Sequence, residues 1–140
     1  LSLQEQVIAD YQTAGLSLRG HPLQFVREWL TQHRVVTTSA LARLPVDRRY
    51  KVGGLILLRQ RPGTAKGITF MTTEDEFGTA NLIVRQDVWE RYRRVAAGAN
   101  AIIAHGRLQR VGEVIHLLVE RLEDLGQRLG EVENRSRDFQ

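Results

Sequence analysis

A chain of 140 residues with 42% hydrophobic content is long enough for one domain with a real core, which argues against wholesale disorder. The chain has no cysteine and no apolar run near the ~18 residues of a membrane helix, so disulfides, thiolate metal sites and a helical membrane span are excluded and a cytoplasmic location is expected. The formal net charge is +4, no secretory signal is visible, and the first residue is not Met, so we expect a fragment of a longer protein.

The positive charge is mostly arginine and is concentrated in one stretch. Between Arg43 and Gly67 there are seven basic residues and a single acid, Asp47. Arginine donates planar, paired hydrogen bonds and stacks on rings, which suits phosphates and bases. A genome rich in G and C would also favour arginine over lysine, and this alternative stays open for the ratio. The local excess of positive charge is the pattern expected of a surface that binds a polyanion.

The first 45 residues carry helical patterns. Apolar residues in Leu1 to Tyr11 predict a short helix. His21-Pro22 begins a second helix, because proline is preorganised for the first helical position, and Leu23, Val26 and Leu30 give that helix one apolar face. Val35 to Leu44 is less regular, with a possible helical turn from Ser39, and Pro45 ends it.

Five β-prone segments follow, with one helix among them. The predicted strands are Tyr50 to Leu58, Ile68 to Thr73, Thr79 to Val84, Asn100 to Gln109 and Val114 to Arg121. The helix, Gln86 to Val95, lies between the third strand and the fourth. Gly53-Gly54 predicts a bend or bulge in the first strand. Residues from Leu122 onward are predicted to form a polar tail with a weak helical start.

This order of elements is that of an OB-fold, a small five-stranded barrel with a helix between strands three and four. We therefore predict a mainly β chain with flanking helices: a helical segment at residues 1–45, an OB-fold domain at 46–122 and a C-terminal tail at 123–140. In this architecture strands two and three build the ligand face. The loops that flank it are Arg59 to Gly67, called the basic loop below, and Arg110 to Glu113.

The motifs RQRPGTAKG at 59–67 and FMTTEDE at 70–76 resemble the C-terminal region of the bacterial error-prone DNA polymerase, the damage-induced relative of the DNA polymerase III alpha subunit. Other stretches agree, and the resemblance covers nearly the whole chain: Asp10-Tyr11, Gly15 to Leu18, His21-Pro22, Val52 to Leu55, Asn81 to Val84, Gly106 to Gln109 and Ser136 to Phe139. Thr73 departs from the family, which usually has leucine there, so a core contact is expected to differ.

The resemblance implies a DNA-directed DNA polymerase used in translesion synthesis and damage-induced mutagenesis, together with an inactive Y-family-like polymerase partner and a RecA-like accessory protein. The catalytic carboxylates of that family lie in an upstream palm domain, and no stretch here matches them. We therefore expect no catalytic residue, metal or cofactor in this fragment, and no polymerase activity from it alone. The expected function is single-stranded DNA binding.

Alternation along the second and third predicted strands selects the candidate binding residues. Phe70 and Thr72 share one face, and Asn81 faces outward on the next strand, whereas Ala80 and Leu82 face inward. Phe70 is the natural platform for base stacking. Arg59, Arg61 and Lys66 on the basic loop would follow the phosphate backbone. Three further arginines could extend this cationic track: Arg85, Arg107 and Arg110.

Other interpretations of the same residues remain open. Phe70 could belong to the core, Asn81 could be a solvated strand residue, and the basic loop could be an ordinary charged loop. The spacing of its glycines does not match a P-loop, and consecutive acids at Glu74 to Glu76 point in different directions, which disfavours a metal site. The alternative function is a protein-docking module that uses the helix Gln86 to Val95 and the tail.

Overall fold

The structure, a computed structural model, describes residues 21–61 and 66–130. The predicted helix at Leu1 to Tyr11, the centre of the basic loop and the last ten residues of the predicted tail lie outside the described residues. Within the described ranges, no helix is both long enough and apolar enough to cross a membrane.

The described residues form six strands and four short helices. The strands are β1 (Val35–Val36), β2 (Arg49–Gln60), β3 (Thr69–Asp75), β4 (Gly78–Val84), β5 (Ala101–Val111) and β6 (Val114–Asp124). The helices are α1 (Arg27–Gln32), α2 (Gln86–Arg91), α3 (Arg93–Gly98) and α4 (residues 125–130). Two 3₁₀ turns, Pro22–Val26 and Thr38–Ala42, complete the segment before the barrel.

Five of the strands close into a barrel in the order β2-β3-β4-β6-β5, and β5 pairs back onto β2. The β4–β6 pairing is parallel and the other four are antiparallel. Strand β2 is shared between two neighbours: its first half pairs with β5, its second half pairs with β3, and Leu55 is where they meet. This is the predicted OB-fold, with β1 added in parallel beside the first half of β2.

The predicted bulge in the first barrel strand is displaced along the strand. The register between β2 and β3 shifts between Ile56 and Leu58, not at Gly53-Gly54. Gly54 has another role, because a Cβ there would lie 2.8 Å from the carbonyl oxygen of Glu74 on β3. The glycine therefore lets the two strands approach each other where β2 changes partner.

The predicted helix after β4 is two helices instead of one. They meet at Tyr92, whose backbone leaves the helical region. Val88 of α2 and Ala96 of α3 are buried in the barrel core.

The fifth barrel strand runs to Asp124, three residues beyond the predicted end, and residues 125–130 continue as α4. Leu122, Leu125 and Leu129 are buried. The start of the predicted polar tail is therefore packed into the fold. The division of the chain into helical segment, barrel and tail remains a prediction.

Two apolar clusters hold the described residues together. The barrel interior contains Met71, Leu82, Ile102, Leu117 and their neighbours. The second cluster lies outside the barrel and joins the helical segment to β2, β5 and α4: Leu23, Val26, Leu30, Val35, Leu55, Ala101, Ile103, Leu125 and Leu129. Ile102 and Ile103 are consecutive and both buried, because opposite faces of β5 serve the two clusters.

Thr73, where the chain departs from the family pattern, lies on the inner side of β3 and is buried. Its hydroxyl has no hydrogen-bond partner among the described residues. The expected difference is therefore located in the barrel core.

Asp75, at the end of β3, connects the helical segment to the β3–β4 hairpin. Its carboxylate accepts hydrogen bonds from the Thr38 amide at 2.8 Å and the Thr38 hydroxyl at 2.7 Å. It also accepts from the amides of Phe77 at 2.9 Å and Gly78 at 3.2 Å, which shapes the turn. The run Glu74 to Glu76, which the sequence disfavours as a metal site, therefore includes a carboxylate whose oxygens accept hydrogen bonds within the fold.

A second contact between the helical segment and the β3–β4 hairpin is the ion pair formed by Arg27 and Glu76. Arg27 donates from Nε to Glu76 Oε2 at 2.8 Å and from Nη2 to Oε1 at 2.7 Å, in a two-pronged arrangement. Burial alone would raise the pKa of Glu76, but the hydrogen bonds and charge of Arg27, helped by His21, hold that pKa below its usual value. The carboxylate form of Glu76 therefore stabilises the docked helical segment.

Gly106→Ala is expected to lower the free energy of unfolding by about 2–4 kcal/mol. A Cβ at Gly106 would lie 2.3 Å from the Leu118 carbonyl oxygen on the paired strand β6, so the backbone would have to move. Urea unfolding followed by circular dichroism measures the change. Gly98→Ala is the matched control, because a Cβ there meets nothing within 4 Å and alanine favours the helix. Equal effects of the two substitutions would contradict the close approach.

Glu76→Gln is expected to reduce the loss of stability in acid. A carboxyl group whose pKa is lowered by folding adds stability above its unfolded pKa, near 4.5, and this stability is lost as the pH falls through the folded value. The difference in unfolding free energy between wild type and Glu76→Gln should therefore shrink below pH about 4.5. Glu28→Gln, on the exposed side of α1, is the control. A difference that does not change with pH would contradict this role of Glu76.

Candidate nucleic-acid interface

The outer face of β3 and β4 brings three of the predicted binding residues together. Thr72 is directly opposite Asn81 in the ladder, and Phe70 is opposite Ile83. Phe70 is 38% exposed, whereas Met71 between them is buried in the barrel. The side chains of Phe70, Thr72 and Asn81 thus form one patch on the outside of the barrel, called the outer face below.

Strand β2 extends this outer face in a way that simple alternation does not predict. Leu58 is opposite Thr72, and Gln60 is opposite Phe70. Because of the register shift after Ile56, the consecutive residues Leu57 and Leu58 are both exposed, at 46% and 47%. Two adjacent leucines in a strand normally point to opposite faces, so simple alternation does not predict that both are exposed.

The described ends of the basic loop lie against helix α2. Arg61 donates from Nη2 to Gln86 Oε1 at 2.8 Å, and its guanidinium lies 4.8 Å from the centre of the Trp89 ring. At the other end, Gly67 has a left-handed backbone with φ of 84°, and a Cβ there would lie 2.6 Å from Gln86 Oε1. Lys66, also left-handed with φ of 52°, is exposed. Helix α2 therefore holds the Arg61 side chain at one end of the loop and lies close to the backbone of Gly67 at the other.

Arg59 is in β2, before the loop, and its guanidinium points to the end of helix α3. It donates from Nε to the Ala96 carbonyl at 2.6 Å and from Nη2 to the Ala99 carbonyl. Burial lowers its pKa. A cation at the C-terminal end of a helix satisfies unpaired carbonyls and complements the helix dipole. Two donor groups of Arg59 thus stabilise the fold by binding carbonyls at the end of α3. The sequence did not indicate this contact.

The three remaining predicted arginines are spread around the barrel. Arg107 is on β5, next to Arg49 of β2 in the ladder. Arg85 follows β4, with Nε 3.9 Å from Asp87 Oδ1. Arg110 lies near the β5–β6 hairpin and donates to the Ala42 carbonyl at 3.2 Å. The structure therefore does not gather all nine predicted residues into one patch.

Comparison with known proteins gives the same family as the sequence motifs. No protein-family model matches the chain. The chain is 47% identical over 135 residues, 96% of its length, to an error-prone DNA polymerase of Azoarcus sp. strain BH72. It is 45% identical over 139 residues to an error-prone DNA polymerase of Rhodopirellula baltica, and 43% identical over 134 residues to error-prone DNA polymerase 1 of Agrobacterium fabrum.

The chain is homologous to a segment of the error-prone DNA polymerases. The resemblance inferred from the basic loop and its neighbouring motifs is thereby confirmed. The chain spans only 12–13% of the length of these relatives.

Solved structures support the fold. Asparaginyl-tRNA synthetase from Pyrococcus horikoshii aligns with 65% of this chain and 23% of its own, with a TM-score of 0.53 and 18% identity. The Escherichia coli hypothetical protein ygiW aligns with 65% of this chain and 89% of its own, with a TM-score of 0.50 and 15% identity. At such low identities these likenesses concern the barrel architecture alone.

Arg59→Ala is expected to lower the free energy of unfolding by about 1.5–3 kcal/mol, because two carbonyls at the end of α3 lose a charged donor. Arg61→Ala is the matched control. It removes the same side chain from an exposed position two residues away, and its effect should stay within about 0.5 kcal/mol. Urea unfolding measures both. If Arg61→Ala were the more destabilising of the two, the structural assignment of Arg59 would be wrong.

Proposed function

We propose that this chain is a single-stranded DNA-binding OB domain of an error-prone DNA polymerase that acts in translesion synthesis and damage-induced mutagenesis. The observation that carries the proposal is the exposed ring of Phe70 on the outer face, next to Thr72 and Asn81 and beside the basic loop. Homology over nearly the whole chain supports the polymerase context.

The outer face has the chemistry that unpaired bases require. An exposed aromatic ring on a barrel stacks on any base, which suits a polymerase that must accept varied template sequence. Ile83 and Leu58 flank the ring and its neighbours with apolar surface. The Asn81 amide and the Thr72 hydroxyl lie directly opposite each other on the same face and offer donors and acceptors to a base edge or a sugar.

The basic loop supplies the charge that a phosphate backbone requires. Arg61 is already held against Trp89 and Gln86, so less freedom is lost when it meets a phosphate. Lys66 is exposed on the same loop. Arg59, with two donors committed to α3, contributes to this surface mainly by fixing the start of the loop.

In this proposal the polymerase chemistry resides outside this chain, and the domain holds single-stranded template for it in the cytoplasm. The proposed partners of the full polymerase are an inactive Y-family-like polymerase and a RecA-like accessory protein. A pull-down with those two proteins tests the docking alternative, which predicts that they bind this chain in the absence of DNA.

Phe70→Ala is expected to weaken binding of a fluorescently labelled oligo-dT by about 5- to 100-fold, the loss of one stacked base. Fluorescence anisotropy at two salt concentrations measures it. Phe25→Ala is the matched control, because Phe25 is 64% exposed but belongs to the helical segment and not to the strands that form the outer face. Absence of wild-type binding at low salt, or equal losses in the two variants, would refute the proposal.

Arg61→Ala in the same assay separates charge from stacking. It should reduce the dependence of log K on log salt by about 0.7, the value for one phosphate contact on a single strand. Phe70→Ala should leave that slope unchanged.

A further inference from the structure

Four arginines from different parts of the barrel surround one carboxylate, Glu120 of β6. We call them, with Glu120, the Glu120 cluster: Arg49, Arg85, Arg91, Arg107 and Glu120. Arg49 donates from Nε to Glu120 Oε1 at 2.8 Å and from Nη2 to Oε2 at 3.3 Å. Arg85, Arg91 and Glu120 also line an open pocket of about 240 Å³, together with Asp87 and Val88.

The cluster is positively charged and reaches solvent. Four arginines face two carboxylates, Glu120 and Asp87, so cations are in excess. The side chain of Arg49 is 66% exposed and that of Glu120 is 37% exposed. The hydrogen bond and charge of Arg49, followed by the charges of Arg107 and Arg85, lower the pKa of Glu120. Glu120 is therefore an anion at the point where the fields of several arginines converge.

One continuous row of ladder partners leads from the outer face to this cluster. Phe70 is opposite Ile83, and Ile83 is opposite Leu118. Leu118 is opposite Arg107, and Arg107 is opposite Arg49. Four steps between neighbouring strands at about 4.8 Å each give a path of about 19 Å around the barrel. A strand of DNA that stacks on Phe70 can follow this row to the arginines.

We propose that the Glu120 cluster is a second phosphate-binding site for the same single strand of DNA, and that Glu120 occupies this site when DNA is absent. The inference rests on the proposed function and extends it beyond the outer face. A carboxylate and a phosphate accept the same paired hydrogen bonds from a guanidinium group. Because exposed ion pairs contribute little to stability, a DNA phosphate can displace Glu120 from Arg49.

The competing interpretation is that Glu120 only neutralises the arginines and stabilises the barrel. The two interpretations predict opposite effects of removing its charge. If Glu120 competes with phosphate, Glu120→Gln frees Arg49 and strengthens DNA binding. If Glu120 is only structural, the substitution leaves binding unchanged or weakens it.

The test uses the 140-residue chain with labelled oligo-dT of about 3 and about 16 nucleotides. At about 3.4 Å per nucleotide the shorter strand is about 10 Å long and cannot reach from Phe70 to the cluster, whereas the longer strand covers the whole path. Glu120→Gln is expected to tighten binding of the longer oligonucleotide about 2- to 5-fold and to leave the shorter one unchanged. Glu28→Gln removes an equal charge from helix α1 and is the matched control. Thermal unfolding of each variant checks that the fold is retained.

Arg49→Ala provides a second measurement that does not depend on Glu120→Gln folding. It should weaken binding of the longer oligonucleotide about 2- to 5-fold and lower its salt slope by about 0.7, with no effect on the shorter one. Wild-type binding to the short oligonucleotide together with no length-dependent effect of either variant would overturn this inference alone. Failure to bind either oligonucleotide would overturn the proposed function and this inference together.

Discussion

The buried carboxylate of Asp75 is the contact on which the arrangement of the described residues depends. It is 2% exposed, and such a group is stable only when its oxygens are hydrogen-bonded. Asp75 meets this requirement with the amide and hydroxyl of Thr38, from the segment before the barrel, and with the amides of Phe77 and Gly78, from its own hairpin. The Asp75 side chain thus fixes both the β3–β4 turn and the segment around Thr38 that packs against this turn.

The position of Asp75 links the fold to the proposed DNA surface. The hairpin that Asp75 closes is the one that carries Phe70 and Asn81. At the far end of β3, the basic loop is held by Gln86 and Trp89 of α2. The outer face is therefore fixed at both ends by contacts that lie outside it, as a preorganised binding surface requires.

The features of the fold that follow from local periodicity could be predicted from the sequence. The alternation of Phe70 and Met71 follows from the two-residue repeat of a strand, and the structure places their side chains on the predicted sides. The order of strands and helix was sufficient for the OB-fold. The sequence pattern places Leu125 and Leu129 in a polar tail, since a short amphipathic helix shows its apolar face only once its packing partner is known.

Contacts between distant residues could not be predicted in this way. Thr38 and Asp75 are 37 residues apart, and Arg59 and Ala96 are also 37 apart, so no spacing rule connects either pair. The acidic turn and the basic loop are recognisable in the sequence as charged segments. Which of their charged side chains bind other parts of the fold depends on contacts that exist only in the closed barrel. The sequence therefore predicts the same role for Arg59 as for Arg61, although only Arg61 is exposed.

Closure of the barrel also limits how any partner can be recognised. Each of the five barrel strands has a neighbour on both sides along part of its length, and the parallel β4–β6 pairing completes the circle. A peptide that bound by adding a strand would need a free row of backbone donors and acceptors, and closure removes most of that row. Recognition then depends mainly on side chains, so binding preference can change one residue at a time while the hydrogen-bonded frame stays the same.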